Sequence, residues 1–487
     1  MKITIMRTLS LFLALMLVVP SDVLATCGGG GGGGTGGMRS GSGAGNAPDE
    51  QVYRVPWKMM KPDDAVKEGL ILYWFPSSAE ELKQSSLLFS RLLSVYASQC
   101  VTMGVADSRT PFSQKLGANT SLPVAVLADP AGNELGRLEN TKGKLRVDDV
   151  EKLLDTEMKR RQNALKEKLE SGKSKAKASD SAGAIEELRA VVAEKCLFPK
   201  QAKDAAKELK KLGVDVNASI YDGPEPVTDR ALSAKIDKIM RRGLTAENNA
   251  KYPEAERLYA EAHRMDPADP TPLRYLGEVY RHHTGEWEKA HHTFEKILAM
   301  PADPLSRAIA LHGIGKMTIH DGKFKEGLRF MERSAEEFAT PLAYRNLAVY
   351  WNSEREMAKA EQYVKLALAL DPTDEYNQVF AAVFNADKGG TLAAESLRIA
   401  RKNEKMLSAS YNLAAIYAQL GQRDKALKLL KRHFYEYERY DAVRAKEMME
   451  ARVDFVFTSL MKDPEFVSLT AGADGKLQWS GGMNMQR

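Results

Sequence analysis

Cysteine is scarce in this chain: three occur among 487 residues, Cys27, Cys100 and Cys196. No two are close enough in sequence for a CxxC pair, a zinc pattern or a local disulfide framework. Charge of one sign is also missing, since 70 Lys+Arg oppose 65 Asp+Glu and leave a net +5, too little to point to nucleic acid as a partner. No apolar run reaches the ~20 residues that span a bilayer. A P-loop, nucleophile elbow, HExxH, dinucleotide glycine fingerprint and EF-hand loop are all absent, so an enzyme reading has no constellation to stand on, and neither catalytic residues nor a cofactor are expected. Hydrophobic residues at 44% and charged residues at 28% describe a soluble, mostly folded chain of about three domains.

The N-terminus carries an export pattern. Lys2 and Arg7 precede an apolar run from Leu9 to Val19 that ends at Pro20, so residues 1–25 read as a signal peptide and the mature chain is expected in the periplasm or cell envelope. Val23-Leu24-Ala25 places cleavage before Thr26. Leu24-Ala25-Thr26-Cys27 resembles a bacterial lipobox and makes Cys27 a possible lipidation site, although Thr26 departs from the small residue usual there. Membrane contact is expected only through the signal or that lipid. Residues 26–50 are glycine-rich and too poor in apolar groups to order, a flexible tether.

Residues 51–163 alternate strand-like runs with amphipathic helical stretches, the pattern of an α/β layer fold. Leu70–Phe75 reads as a buried strand, followed by a helix opened at Ser77-Ser78, a strand at 101–105, a short helix near Phe112 to Leu116, a strand from Val124, a turn at 129–133 and a final strand and helix. This order resembles the thioredoxin fold, with Leu122-Pro123-Val124 at the position where that family carries a cis proline. The resemblance also places the family's redox cysteines directly after Phe75, where this chain has Pro-Ser-Ser. Serine cannot form a mixed disulfide, so the resemblance implies a redox-inactive domain. Cys100 reads as a small, partly buried side chain at a strand edge; a single-thiol redox role for Cys100, with the rest of the chain recruiting its substrate, is the alternative.

Residues 164–229 read as a basic helical segment and linker. From 158 to 211 there are 15 Lys+Arg against 8 Asp+Glu, without interleaved aromatics to stack on bases, so a solvated face is expected. Cys196, within it, reads as a core residue.

From about Arg230 the chain repeats. Ala255, Ala290, Gly327, Ala360, Ala394 and Ala426 recur at intervals of 32 to 37 residues, and Gly243, Gly277, Gly315, Ala348 and Ala414 precede five of them by twelve or thirteen. Small residues at such places let paired helices cross closely. Leu273…Leu276-Gly277…Tyr280…Ala290…Phe294 and Tyr344…Leu347-Ala348…Trp351…Ala360…Ala367…Pro372 resemble the tetratricopeptide repeat (TPR). The resemblance implies an α-solenoid of about six helix pairs over 230–440, capped by helices over 441–470 with a flexible tail over 471–487. The fold class is therefore multidomain, α/β plus all-α.

In that family the first helix of each pair lines a peptide-binding groove. The corresponding donors here are Arg241, Arg274, Arg281, Arg345, Asn346, Tyr411 and Asn412, suited to carboxylates or peptide backbone, and the expected partner is another protein or peptide. All eight histidines lie in the repeats, four of them between His282 and His292. Adjacent histidines on a helix diverge by about 100°, so these read as surface residues and no metal site is expected.

Overall fold

A computed structural model describes residues 51–61, 64, 66–106, 116, 122–140, 142–216, 219–438 and 441–471. The signal peptide, Cys27, the tether, most of the short helix expected near Phe112 and the tail beyond 471 lie outside the described residues.

The four strands expected from the apolar runs and one unexpected short edge strand form a five-stranded mixed sheet. Its members are β1 (Lys58–Met59), β2 (Leu70–Phe75), β3 (Val101–Val105), β4 (Val124–Ala128) and β5 (Glu134–Glu139), in the spatial order β1-β3-β2-β4-β5. β2 and β3 run parallel with Leu70 opposite Val101, while β4 is antiparallel to β2 with Ile71 opposite Ala128. The Leu122–Pro123 peptide bond that leads into β4 is cis. Because side chains alternate across a strand, Leu70, Leu72 and Trp74 face a large core with Met103, Val105 and Leu127, whereas Ile71, Tyr73 and Phe75 join a smaller cluster with Val124 and Val126 on the opposite face.

Helices α1 (Ala79–Gln84), α2 (Arg91–Ser98), α3 (Val147–Lys177), α4 (Ser181–Ala193) and α5 (Pro199–Lys211) complete this unit. α3 is one unbroken helix of 31 residues, so the domain boundary expected at 163 falls inside it. Leu154, Leu165, Leu169, Leu188, Val191 and Leu209 share the core of the sheet. The basic segment is thus the outer layer of the sheet unit up to about residue 216, rather than a linker. Its charges face solvent, several in i,i+3 pairs such as Lys173–Glu170 and Lys211–Glu208.

Six helix pairs follow: α6 (Arg230–Asn248) with α7 (Tyr252–Met265), α8 (Pro270–Glu278) with α9 (Trp287–Ala299), α10 (Pro304–His320) with α11 (Phe324–Glu337), α12 (Pro341–Ser353) with α13 (Met357–Leu370), α14 (Glu375–Val383) with α15 (Gly390–Lys402), and α16 (Ser410–Gln419) with α17 (Arg423–Arg432). The small residues do the work their spacing implied. A Cβ on Gly277 would lie 2.4 Å from the Phe294 ring and one on Gly313 2.3 Å from its other side, so the ring fits only between two glycines. The first helices of the first five pairs open on side-chain caps, Asp229, Asp269, Asp303, Thr340 and Asp374, three with proline in the first turn. Such caps satisfy N–H groups that have no intrahelical partner. The second helices open without them.

A π-helical turn (His433–Tyr437) leads from α17 to α18 (Asp441–Val453), a 3-10 segment (Phe455–Leu460) and α19 (Pro464–Leu469). Met448, Ala451, Phe457 and Phe466 close the core of the last pairs. Among the described residues no helix is long and apolar enough to cross a membrane.

Candidate interaction site on the first helices

Six of the seven predicted groove residues lie on first helices and Arg281 lies in the π-helical turn Val279–Thr284 that continues α8; six of the seven are buried. Their donors are already engaged. Arg345 reaches Asn377 Oδ1 at 2.5 Å and lies over the Tyr376 ring; Asn346 Nδ2 meets His312 Nε2 at 3.0 Å; Asn412 Nδ2 donates to the Tyr376 hydroxyl at 3.1 Å. The partners lie 32, 34 and 36 residues away, about one repeat period. These residues form rungs between neighbouring pairs, and the structure encloses them where their position in the family motif suggested open donors. The reason is burial: a polar side chain that closely packed helices enclose must find its partner inside the protein.

Arg281 pairs with Glu278 at 2.6 Å within its own turn. Burial lowers the Arg345 guanidinium from its ordinary range and, with Asp454 beside it, raises the Tyr411 phenol well above its own. The Tyr411 hydroxyl donates to Asp454 at 3.0 Å. Only Arg241 retains substantial exposure, 37% of its side chain, and it pairs with Asp237 at 2.7 Å.

Two segments from outside the pairs cover the first helices. At one end Val52 accepts from Arg274 and from Tyr275, both at 3.3 Å. At the other, α18 brings Glu447 to His433 at 2.6 Å, and its Met448 and Ala451 pack into the core with Val379, Phe380 and Leu413.

The sheet unit docks where the chain enters the first helices. Arg91, buried on α2, pairs with Asp266 and, at 3.2 Å, with Asp269, and donates to Val227 O at 2.9 Å and Ser233 Oγ at 3.1 Å. Asp269 carries three duties: it caps α8 through Thr271 N–H, accepts from the Tyr53 hydroxyl at 2.8 Å and faces Arg91. Burial and the second carboxylate together outweigh Arg91 and leave Asp266 above the ordinary carboxylate range. Further along, Ser98 accepts from Asp303 N–H at 2.9 Å and Lys83 donates to Thr373 at 3.1 Å. One signal for this rim was present in the sequence, the repeated Asp-Pro or Thr-Pro pairs at 269–270, 303–304 and 340–341.

Where the thioredoxin resemblance would put redox cysteines, Ser78 Oγ caps α1 through Glu81 N–H, and the Glu81 carboxylate returns to the Ser77 N–H at 2.6 Å. This capping arrangement supplies helix stability and no thiol. Cys100, partly buried at the strand edge as expected, and Cys196, read as core but only partly buried, form a disulfide, with Cα atoms 5.8 Å apart across a separation of 96 residues. The bond tells against the single-thiol alternative, because a bonded Cys100 has no thiolate to offer. Local spacing could not show it; the fold brings the turn before β3 against the α4–α5 connection.

A third cluster lies at the end of the array. His433, Glu438 and Glu447 are all buried and place one ligating atom each within 4.8 Å of the others. The sequence drew attention to His282–His292 instead, where His283 stacks on Tyr252 at 4.4 Å and meets Glu247 at 3.2 Å. Nothing local marked His433, because Glu447 arrives on the next helix.

Comparison with protein families gives two matches, both described as tetratricopeptide repeat, over residues 240–311 and 409–434. No curated protein matches the chain. The matches cover most of the first two helix pairs with the start of α10, and the last pair, so that over these residues the array is similar to tetratricopeptide repeats.

Proposed function

We propose that the chain is an exported protein–protein interaction scaffold: a tetratricopeptide-type array that binds another protein or peptide, fixed to a redox-inactive thioredoxin-like unit. The observation that carries the reading is the run of six helix pairs with repeat-family matches near both ends, since stacked repeats offer an extended surface for protein partners. The mixed sheet order and the serine cap after β2 support the redox-inactive part. The Cys100–Cys196 disulfide supports export, because such bonds persist in oxidising compartments outside the cytosol.

With the polar residues of the first helices engaged internally, the contact belongs to the outward faces, where Met357, Leu392 and Tyr435 are exposed. The test is photocrosslinking of the full chain in cell-envelope extract, with the reactive residue placed in turn at Met357, Leu392, Tyr435 and, on the sheet unit, Glu68. One protein captured from the array positions and not from Glu68 is the expected result; capture from Glu68 alone overturns the assignment. Intact mass of the mature protein tests export: a chain starting at Thr26, or a lipid on Cys27, is expected, and an intact Met1 contradicts it.

A further inference from the structure

We propose that His433, Glu438 and Glu447 bind a divalent transition-metal cation of the zinc type, which fastens the end of the last repeat to the closing helix α18. The donors come from successive parts of the chain: His433 opens the π turn, Glu438 ends it and Glu447 lies one helix later. Imidazole nitrogen and carboxylate oxygen are both donors that zinc accepts, and one of the former with two of the latter would supply three positions of a tetrahedron and leave the fourth for water. Ligands about 2.1 Å from one tetrahedral ion stand about 3.4 Å apart. The three atoms lie within 4.8 Å of one another, and His433 Nε2 is 2.6 Å from Glu447, so sharing an ion requires the wider separations to close and that contact to open, each by about 1 Å. Calcium and magnesium fit poorly, since they take six or more oxygen ligands and rarely an imidazole.

Two further observations point to a cation. Glu438 is only 7% exposed and stands beside Glu447, with Arg444 as its neighbouring cation. The fully buried His433 ring has no hydrogen-bond partner at Nδ1. Buried polar groups ordinarily have partners, and two carboxylates enclosed side by side repel each other; Arg444, whose guanidinium donates to Glu438 O at 3.3 Å, does not outweigh burial and Glu447. The setting is buried. Tyr437 stacks on the His433 ring at 5.4 Å and Tyr411 meets it edge-on at 5.4 Å, so the imidazole is held in place before any ion arrives. π-helical turns recur at functional sites, where the extra residue redirects a side chain.

Full-length protein stripped with EDTA and titrated with zinc chloride is expected to bind one equivalent saturably, with a rise in melting temperature that excess chelator reverses. Glu438→Gln and Glu447→Gln are each expected to weaken binding at least about tenfold, while the double variant His291→Ala/His292→Ala, on exposed α9 positions, binds as the parent does. Absence of saturable binding, or equal affinity in parent and Glu438→Gln, overturns the site. Should the carboxylate variants fail to fold, zinc-edge anomalous diffraction from the parent decides: a peak among His433, Glu438 and Glu447 upholds the proposal, and a peak only at His282–His292 refutes it.

Discussion

The sheet unit and the repeat array treat buried polar groups differently. In the sheet unit the interior is apolar, and most of the enclosed polar side chains, among them Arg54, Ser90, Arg91, Ser94 and Ser98, belong to the first strand-like segment and α2, the face turned to the array. In the array, polar side chains run through the interior, and Arg345, Asn346 and Asn412 each find a partner about one period away. An apolar sheet core specifies itself by side-chain alternation and volume. Stacked helix pairs offer nearly equivalent surfaces to their neighbours, and directional rungs select one register among several similar ones.

The sharpest way to break the comparison is at the junction, where the two styles meet. Arg91→Ala leaves Asp266 and Asp269 as unpaired buried carboxylates and is expected to cost about 3–5 kcal/mol in urea unfolding of the full chain; adding Asp266→Asn and Asp269→Asn should recover part of that loss. An Arg91→Ala chain as stable as the parent would mean that the two units are not energetically joined there. The next effect belongs to the sheet unit alone. Cys100→Ser with Cys196→Ser opens a 96-residue span and should lower stability by about 2–4 kcal/mol. The loss should appear in hydrogen exchange of β3 and α4 before the distal repeats; uniform loss along the chain would contradict the division.

Gly277→Ala tests the array's packing. The new methyl meets the Phe294 ring at 2.4 Å, so a cost of about 1–3 kcal/mol is expected by thermal unfolding, relieved by adding Phe294→Leu. Failure of that rescue would place the strain elsewhere. The smallest effect is a pH slope. Burial, then Lys316 and Arg281, hold the His312 imidazole well below its ordinary 6.5. The unfolded chain therefore binds a proton that the folded chain refuses, and stability falls as pH drops below about 6.5, by at most about 1.4 kcal/mol per pH unit for this group. His312→Asn should flatten the slope, leaving a contribution of the same sign from His263, which burial also lowers. An unchanged slope would show that His312 is not the group responsible.

Much of the fold was legible because its signals are local. The strand at Leu70–Phe75 is a continuous apolar run, and the repeat positions Ala255, Ala290, Gly327, Ala360 and Ala426 are enclosed between helices, whereas Ala394 of the fifth pair is exposed. Contacts made by folding itself were not legible. Arg91 meets Asp266 across 175 residues, Cys100 meets Cys196 across 96, and α3 runs through the expected boundary because apolar residues on both sides of position 163 share one core. At the candidate groove the residue positions were readable but their exposure was not. Arg345 and Asn346 occupy the motif places of ligand contacts, yet Asn377 and His312 already hold them.

The central claim, that these first-helix residues tie repeats together, is tested most directly by a double-mutant cycle on Arg345→Leu and Asn377→Leu, read by urea unfolding of the full chain. Internal rungs predict non-additive losses with a coupling of about 1–3 kcal/mol. Additivity within about 0.5 kcal/mol, together with loss of crosslinked partner in a folded Arg345→Leu chain, would return Arg345 to the role of a ligand contact.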